Sequence, residues 1–337
     1  MTISEWCASN NAQIKVFDMG RRIEEVPAEL FSDIEQQQQA YPTPYLKHAW
    51  LGILSWHKQQ PGQHHIWFVK LPLDERNLMQ TGPRNAFLHY WKQVGNTPKH
   101  EHGEAPYNFK PDAARMAYFH ALATQVLEQP ATAYYSQARE YLSGQVGWDN
   151  WKNLGLQGLA EVVSRLQQDN NNALLVEELP HLPVIVRNPI LSFLENAHPD
   201  QILTSAINDS LAAAVATVPT AEELAAYARA LSNSENIEQR QLLLLAILQH
   251  PLNKSGAVLA AIGSRCWQDL KGDLLLTYLE CLARNEQGKG AFNALLADLL
   301  TLANMKVEVL AVLALPECSP ELSQAFTDLV GEVKKYH

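Results

Sequence analysis

Residues that break helices recur at nearly even intervals through the second part of the chain, which is otherwise rich in Ala, Leu, Glu and Gln. The main breaks are 36, 32 and 37 residues apart, at Pro183, Pro219, Pro251 and Gly288. Secondary breaks fall between them, at Pro199, Asn233, Ser234 and Gly272. Each interval therefore has room for two helices. One helix pair cannot bury its own apolar face and must stack on neighbouring pairs, as in HEAT-like arrays.

This spacing predicts an all-α helical-repeat domain, a HEAT-like α-solenoid, over residues 112–337. A large irregular helical bundle is the alternative, because no consensus letters repeat. Helical spacing places several apolar residues on common faces: Leu203, Ile207, Leu211, Ala214 and Val218 on one, and Leu274, Leu275, Tyr278, Leu279 and Leu282 on another. The apolar run at 242–248 is far shorter than the roughly 20 residues of a membrane helix. It indicates a helix buried on all sides.

The first 111 residues predict a small α+β domain. Alternation and β-branched or aromatic residues favour strands at 13–17, 49–56 and 65–71, with a turn at Pro61 and Gly62 between the last two. Helical spacing favours helices at 27–37 and 85–94, followed by a loop at 95–111. Charge also divides the chain here. Residues 1–111 hold 11 basic and 11 acidic residues, whereas residues 112–337 hold 15 and 25.

Composition narrows the class of protein. The net charge of −10 opposes nucleic-acid binding, which usually needs a basic surplus. The N-terminus has neither a basic segment nor an apolar segment of the secretory kind, and no stretch combines an apolar face with a basic one. Four scattered Cys make no disulfide framework. We therefore expect a cytoplasmic protein with reduced thiols that binds neither nucleic acid nor membranes. No phosphate-cradling or nucleophile motif appears, so we expect no cofactor.

Arginines and acids near the predicted strand ends are the candidate binding residues. They are Arg21, Arg22, Asp74, Glu75, Arg76 and Arg84, with Trp67 from the adjoining aromatic strand. If the strand ends are neighbours, Asp18, Arg22, Asp74 and Arg76 could meet. One interpretation is a structural network of Arg–carboxylate pairs. The other is a site where Arg21 and Arg84 accept a phosphate or carboxylate.

A weak metal candidate lies in the loop at 95–111. His100, His102 and Glu104 have a spacing that could place two imidazoles and a carboxylate around zinc, although a solvated loop is the simpler interpretation. Two glycines, Gly155 and Gly158, fall three apart in a helical pattern. They predict a close approach between helices beside Trp148 and Trp151.

Six segments carry a resemblance to a known family: residues 17–22, 41–44, 66–76, 107–111, 116–121 and 155–160. Their residues and order resemble an uncharacterised proteobacterial family whose members are about as long as this chain and bear a domain-of-unknown-function label. The resemblance covers the full chain. It implies a bacterial cytoplasmic protein and transfers no activity and no catalytic residue.

Three functions remain open from the sequence. The first is a non-enzymatic scaffold or adaptor that binds a protein or peptide partner on an acidic helical-repeat surface. The second is a ligand-sensing regulator that binds a small anion or nucleotide through Arg21, Arg22, Arg76 or Arg84. The third is a metal-dependent hydrolase that uses His100 and His102. The oligomeric state does not follow from the sequence.

Overall fold

The computed structural model describes residues 1–57, 60–94 and 105–333 of the chain. The chain divides into two compact units, Met1–Pro130 and Ala131–His337. The chain is mostly helical, with one small sheet near the N-terminus. In the described part, no helix combines the length and the apolar character needed to span a membrane.

The sheet of the first unit has four antiparallel strands in the order β2-β1-β3-β4. The strands are β1 Ala12–Asp18, β2 Glu24–Val26, β3 His48–His57 and β4 Gln60–Pro72. The predicted strands at 13–17, 49–56 and 65–71 are confirmed. Strand β2 was not predicted, because three residues are too few to show an alternation of apolar and polar side chains. Pro61 and Gly62 lie inside β4 rather than in the turn expected there.

Helices cover both faces of this sheet. They are α1 Ile3–Ser9, α2 Ala28–Glu35, α3 Thr81–Val94 and α4 Ala113–Val126. One face of the sheet carries Val16, Ile53 and Val69, which share a buried core with residues of α1, α2 and α3. Side chains alternate along a strand, so residues such as Phe17 and Phe68 point to the other face.

Helix α4 covers that second face. The Phe119 ring packs edge-to-face on Phe17 and Phe68, with ring centroids 5.4 and 5.0 Å apart. Gly52 lies opposite Phe17 in the sheet, and a Cβ there would fall 2.5 Å from the Phe119 ring. The first unit therefore extends to Pro130, beyond the boundary at 111 expected from composition. The change in composition near residue 111 indicates where the continuously helical part of the sequence begins. The first helix of that part, α4, nevertheless belongs with the sheet, because it buries the second face of the sheet.

The second unit contains helices joined by turns and loops, and its described residues form no strand. Its helices are α5 Ala133–Leu142, α6 Leu156–Ser164, α7 Asn171–Glu178, α8 Val184–Leu194, α9 Gln201–Val215, α10 Ala221–Leu231, α11 Ile237–Gln249, α12 Gly256–Arg265, α13 Gly272–Ala283, α14 Lys289–Leu299, α15 Met305–Leu313 and α16 Pro320–Val333. Short 3-10 helices lie at Trp148–Asn153 and Pro251–Lys254. The intervals between the main breaks hold α8 with α9, α10 with α11, and α12 with α13. Two helices per interval is therefore confirmed.

Helices of this unit contact the helix two places further along the chain. Helices α6, α8, α10, α12 and α14 form one such row, and α7, α9, α11, α13 and α15 form another. The predicted apolar faces are buried between helices at Leu203, Ile207 and Leu211. Val218 is an exception. It follows the end of α9 and is 96% exposed, so its place on the predicted face is wrong.

Candidate functional site

The arginine pair after β1 is buried. The Arg21 side chain has no exposed surface, and its Nε and Nη2 atoms donate hydrogen bonds of 3.0 and 2.7 Å to the carbonyl oxygen of Pro44. Its guanidinium also lies 5.6 Å from the centroid of the Tyr45 ring. Arg22 beside it is buried as well. Arg21 therefore ties the end of β1 to the segment before β3.

Asp18 is buried next to this pair. One carboxylate oxygen accepts the Gly20 N–H at 2.6 Å, and the other accepts the Thr43 hydroxyl at 2.5 Å. Burial raises the pKa of the Asp18 carboxyl to about 6, although both hydrogen bonds and Arg21 favour the charged form. Asp18 thus contacts the same segment that Arg21 contacts.

Arg84 lies in a different part of the unit. Its Nη1 donates to the Glu35 carbonyl oxygen, and its Nε and Nη2 donate to Asn85 Oδ1. The Glu35 carboxylate accepts the Ile3 N–H at 2.6 Å and the Ser4 hydroxyl at 2.6 Å. Burial raises the pKa of Glu35, against these hydrogen bonds. Arg84 and Glu35 therefore join α1, α2 and α3.

The remaining predicted residues occupy two further places. Asp74, Glu75 and Arg76 are exposed in a turn after β4, where Asp74 Oδ1 accepts the N–H groups of Arg76 and Leu78 at 2.8 Å. Trp67 is half-buried on β4, with its ring 5.7 Å from that of Trp91. Asp18 is buried, whereas Asp74 is exposed. The turn that holds Asp74 is hydrogen-bonded to the segment that Arg21 contacts, through the Tyr41 N–H to the Asn77 carbonyl oxygen at 2.8 Å and the Leu73 N–H to the Lys47 carbonyl oxygen at 3.0 Å.

The metal candidate His100, His102 and Glu104 lies outside the described residues. Across the ranges that the structure does describe, no group of three or more His, Cys, Asp or Glu residues could hold a metal ion.

Helix α11 presents apolar side chains to solvent, which sequence reasoning missed. Its exposed residues share one side of the helix, which we call the α11 face: Ile237, Glu238, Gln241, Leu242, Leu245, Ala246 and Gln249. Leu242 is 59% exposed and Leu245 37%. Leu243, Leu244, Ile247 and Leu248 are buried on the opposite side. The prediction of a helix buried on all sides is therefore wrong. The helical spacing of Glu238, Gln241 and Gln249 places these polar residues on one side of the helix, and this pattern could have indicated an exposed side.

Polar contacts fix the start of α11 to its neighbours. Arg240 pairs with Asp269 through two hydrogen bonds, Nε to Oδ2 at 2.9 Å and Nη2 to Oδ1 at 2.7 Å. Gln239 Nε2 donates to Ser205 Oγ on α9 at 3.2 Å. The two-point Arg–carboxylate pair sets orientation as well as distance. Helix α11, which carries the α11 face, is therefore hydrogen-bonded both to α9 before it and to the segment that precedes α13.

Acidic residues and one more apolar residue are exposed on the neighbouring helices. They are Ile202 and Asp209 on α9 and Asp273 on α13. Residues 131–337 hold 14 Lys and Arg against 23 Asp and Glu, a net charge of −9, whereas residues 1–130 hold 12 against 13. The exposed leucines thus belong to the unit that carries nearly all of the net negative charge.

The sequence matches one family of proteins over most of its length. A family model described as a protein of unknown function, DUF3549, matches residues 1–330. The chain belongs to this family. The match covers all of the first unit and residues 131–330 of the second. Comparison with curated proteins and with solved structures finds no match.

Proposed function

We propose that this protein is a non-enzymatic adaptor whose helical unit, a HEAT-like α-solenoid, binds a protein partner on the α11 face. The observation that carries the proposal is the pair of exposed leucines, Leu242 and Leu245, on one stripe of a fixed helix. Exposed apolar side chains grouped within a polar surface are typical of interaction sites. Contacts between helices two places apart are those that a HEAT-like array needs, which supports this architecture.

The charge of the unit favours one class of partner. A net charge of −9 attracts a basic segment and repels an acidic one. Leu242 and Leu245 require apolar side chains opposite them. The occupant proposed is therefore a segment of another cytoplasmic protein that combines Lys or Arg with apolar residues at helical spacing.

A photocrosslinking amino acid at Gln241 tests this site in the full-length protein. We expect crosslinks to a basic, amphipathic segment of one partner, identified by mass spectrometry. Leu242→Glu should abolish these crosslinks by placing a charge where apolar contact is needed. Val218→Glu is the matched control, because Val218 is exposed outside the α11 face and should leave the crosslinks unchanged.

Three results would contradict the proposal. The first is a crosslink yield at Gln241 no higher than that of the same probe at Val218. The second is a crosslinked partner segment without a surplus of Lys and Arg. The third is an unchanged crosslink yield in the Leu242→Glu variant. Because Leu242 and Val218 are both exposed, Leu242→Glu and Val218→Glu should keep the wild-type melting temperature within a few degrees, as most surface substitutions do.

A further inference from the structure

Two arginines of the second unit differ from the others in their pairing. Five of the seven arginines of this unit lie within 4.0 Å of a carboxylate oxygen: Arg187, Arg229, Arg240, Arg265 and Arg284. Arg139 and Arg165 form no ion pair with any residue that the structure describes. Acidic residues outnumber basic ones by 23 to 14 in this unit, so the two exceptions need a physical reason.

Arg165 is the more buried of the two arginines. It directly follows the last residue of α6 and is 8% exposed. Its Nη1 atom donates to Gln168 Oε1 at 3.2 Å, whereas its buried Nε and Nη2 atoms have no hydrogen-bond partner within the described ranges. Burial of a guanidinium costs free energy unless hydrogen bonds replace its lost hydration. Two donors of Arg165 therefore require an acceptor from outside the described chain.

The Nε and Nη2 atoms form one edge of a guanidinium, and their parallel N–H groups match two oxygens of a carboxylate or phosphate. Arg240 uses this edge in the same unit, where Nε and Nη2 donate to the two carboxylate oxygens of Asp269 at 2.9 and 2.7 Å. The same edge of Arg165 contacts no acceptor of the described residues. An oxyanion therefore fits it in both shape and charge.

Tyr135 and Arg139 of α5 adjoin Arg165. The guanidinium carbons of Arg165 and Arg139 lie 5.9 and 5.8 Å from the centroid of the Tyr135 ring. Arg139 is half-buried, and its Nη2 atom donates to the Asp169 carbonyl oxygen at 2.6 Å. Its buried Nε atom also has no partner among the residues described. Two cations on one ring make the electrostatic potential here more positive than in the rest of this acidic unit.

The turn at residues 167–170 connects Arg165 with solvent. All four of its residues are exposed, and the Gln168 side chain contacts Arg165. The turn also carries an acid, Asp169, whose Oδ2 atom accepts the Tyr135 hydroxyl at 2.7 Å. Because Asp169 is exposed, water and salt screen its repulsion of an anion. Displacement of the exposed Gln168 side chain would bring a small anion against the Arg165 guanidinium.

We propose that Arg165 binds a small oxyanion, with Nε and Nη2 donating to two of its oxygens and Arg139 adding positive charge nearby. Phosphate and carboxylate groups share this chemistry. The site consists of α5, the end of α6 and the turn before α7. It does not include the α11 face, so this proposal goes beyond the adaptor function.

NMR titration of the full-length protein carrying isotope-labelled arginine tests the site, because each Nε–H group gives its own signal. We expect inorganic phosphate or acetate to move the Arg165 signal to a saturating position, whereas chloride at equal ionic strength leaves it in place. Arg284 is the internal control, since it is exposed and already pairs with Glu280. The anion that saturates the Arg165 signal at the lower concentration identifies phosphate or carboxylate as the preferred group.

Variants connect the binding to Arg165. Arg165→Lys keeps the positive charge but lacks the two-donor edge, so it should lose the rise in melting temperature that the preferred anion gives the wild-type protein. Arg284→Lys is the matched control and should keep this rise. The signal that disappears in Arg165→Lys is that of Arg165. If this variant does not fold, Gln168→Ala assigns the signal through the shift caused by removing the Nη1 acceptor.

The proposal is overturned if neither phosphate nor acetate moves the Arg165 signal in a saturable way, which would show that solvent alone meets this edge. It is also overturned if chloride moves the signal equally, or if Arg165→Lys keeps the full rise in melting temperature.

Discussion

Main-chain carbonyl groups accept hydrogen bonds from three arginines of the first unit. Arg21 donates to Pro44, Arg84 to Glu35, and Arg115 to Met19 and Gly20. A buried guanidinium is tolerated only when hydrogen bonds replace its lost hydration. Each of these arginines joins segments that are distant in sequence. At the residue scale, the arginines therefore stabilise loops and helix ends of the first unit.

Asp18 should make the stability of the protein depend on pH. Its pKa is about 6 in the folded state against 3.8 for the ordinary group, so the folded state binds this proton more tightly. The contribution to the free energy of unfolding is therefore greatest below about pH 4 and falls as pH rises to about 6, by at most about 3 kcal/mol. Asp18→Asn should flatten this slope in urea unfolding measured from pH 4 to 7.

Asp33→Asn provides the control, because Asp33 is a half-buried aspartate of the same unit. It should keep the wild-type slope. Glu35, whose pKa burial also raises, should leave a residual slope in both variants. An unchanged slope in Asp18→Asn would contradict the role given to this carboxyl.

At the scale of elements, the two glycines near α6 have different roles. Gly155 precedes the helix as its N-cap, and a Cβ there would have open space. Gly158 lies within α6. A Cβ at this position would clash with the Tyr134 carbonyl oxygen of α5 and would lie 3.0 Å from the Ala138 Cβ. The predicted close approach of helices therefore occurs at Gly158, and it is made with α5.

Gly158→Ala should destabilise the protein even though Ala favours helices over Gly. The gain in helix propensity is about 1 kcal/mol, whereas overpacking against a neighbouring helix costs about 1–3 kcal/mol. We expect a net loss in the free energy of unfolding, measured with guanidinium chloride. Gly155→Ala should stay within about 0.5 kcal/mol of wild type. Equal effects of the two substitutions would be inconsistent with close packing of α5 on α6.

The chain divides into two compact units, and α4 belongs to the first of them. The first unit needs Phe119 of α4 on the second face of its sheet. The second unit builds its core from rows of helices that begin at Ala133. A domain boundary drawn at 111 separates the sheet from the helix that covers it.

Fragments of the chain that end at residue 111 or at residue 130 should distinguish the two possible boundaries of the first unit. Residues 1–130 should unfold cooperatively on heating, whereas residues 1–111 should bind a dye for exposed apolar surface, because Phe17 and Phe68 lose their cover. Residues 131–337 alone should retain a helical circular dichroism spectrum. Equal stability of the 1–111 and 1–130 fragments would show that α4 is dispensable for the first unit.

Local signals in the sequence predicted three of the strands and the number of helices in each interval between the main breaks of the second unit. Pro183, Pro219 and Pro251 lie between helices, and these breaks predicted two helices per interval because Pro lacks the N–H that a helix interior needs. Pro189 within α8 and Gly158 within α6 do not end their helices. Alternation predicted three of the four strands, because side chains of a half-buried strand take opposite environments in turn. The motifs also pointed to a family of unknown function, which the match over residues 1–330 confirms. The HEAT-like arrangement stays a proposal.

Only the tertiary structure decided which side chains meet solvent. In an unbroken run of leucines, every position is equally apolar, so the run itself does not distinguish exposed Leu242 from buried Leu243, and only the spacing of the flanking polar residues indicates the exposed side. The same holds for Arg21, whose acceptor on Pro44 is 23 residues away. Burial and pairing depend on contacts between distant segments, and those contacts exist only once the chain has folded.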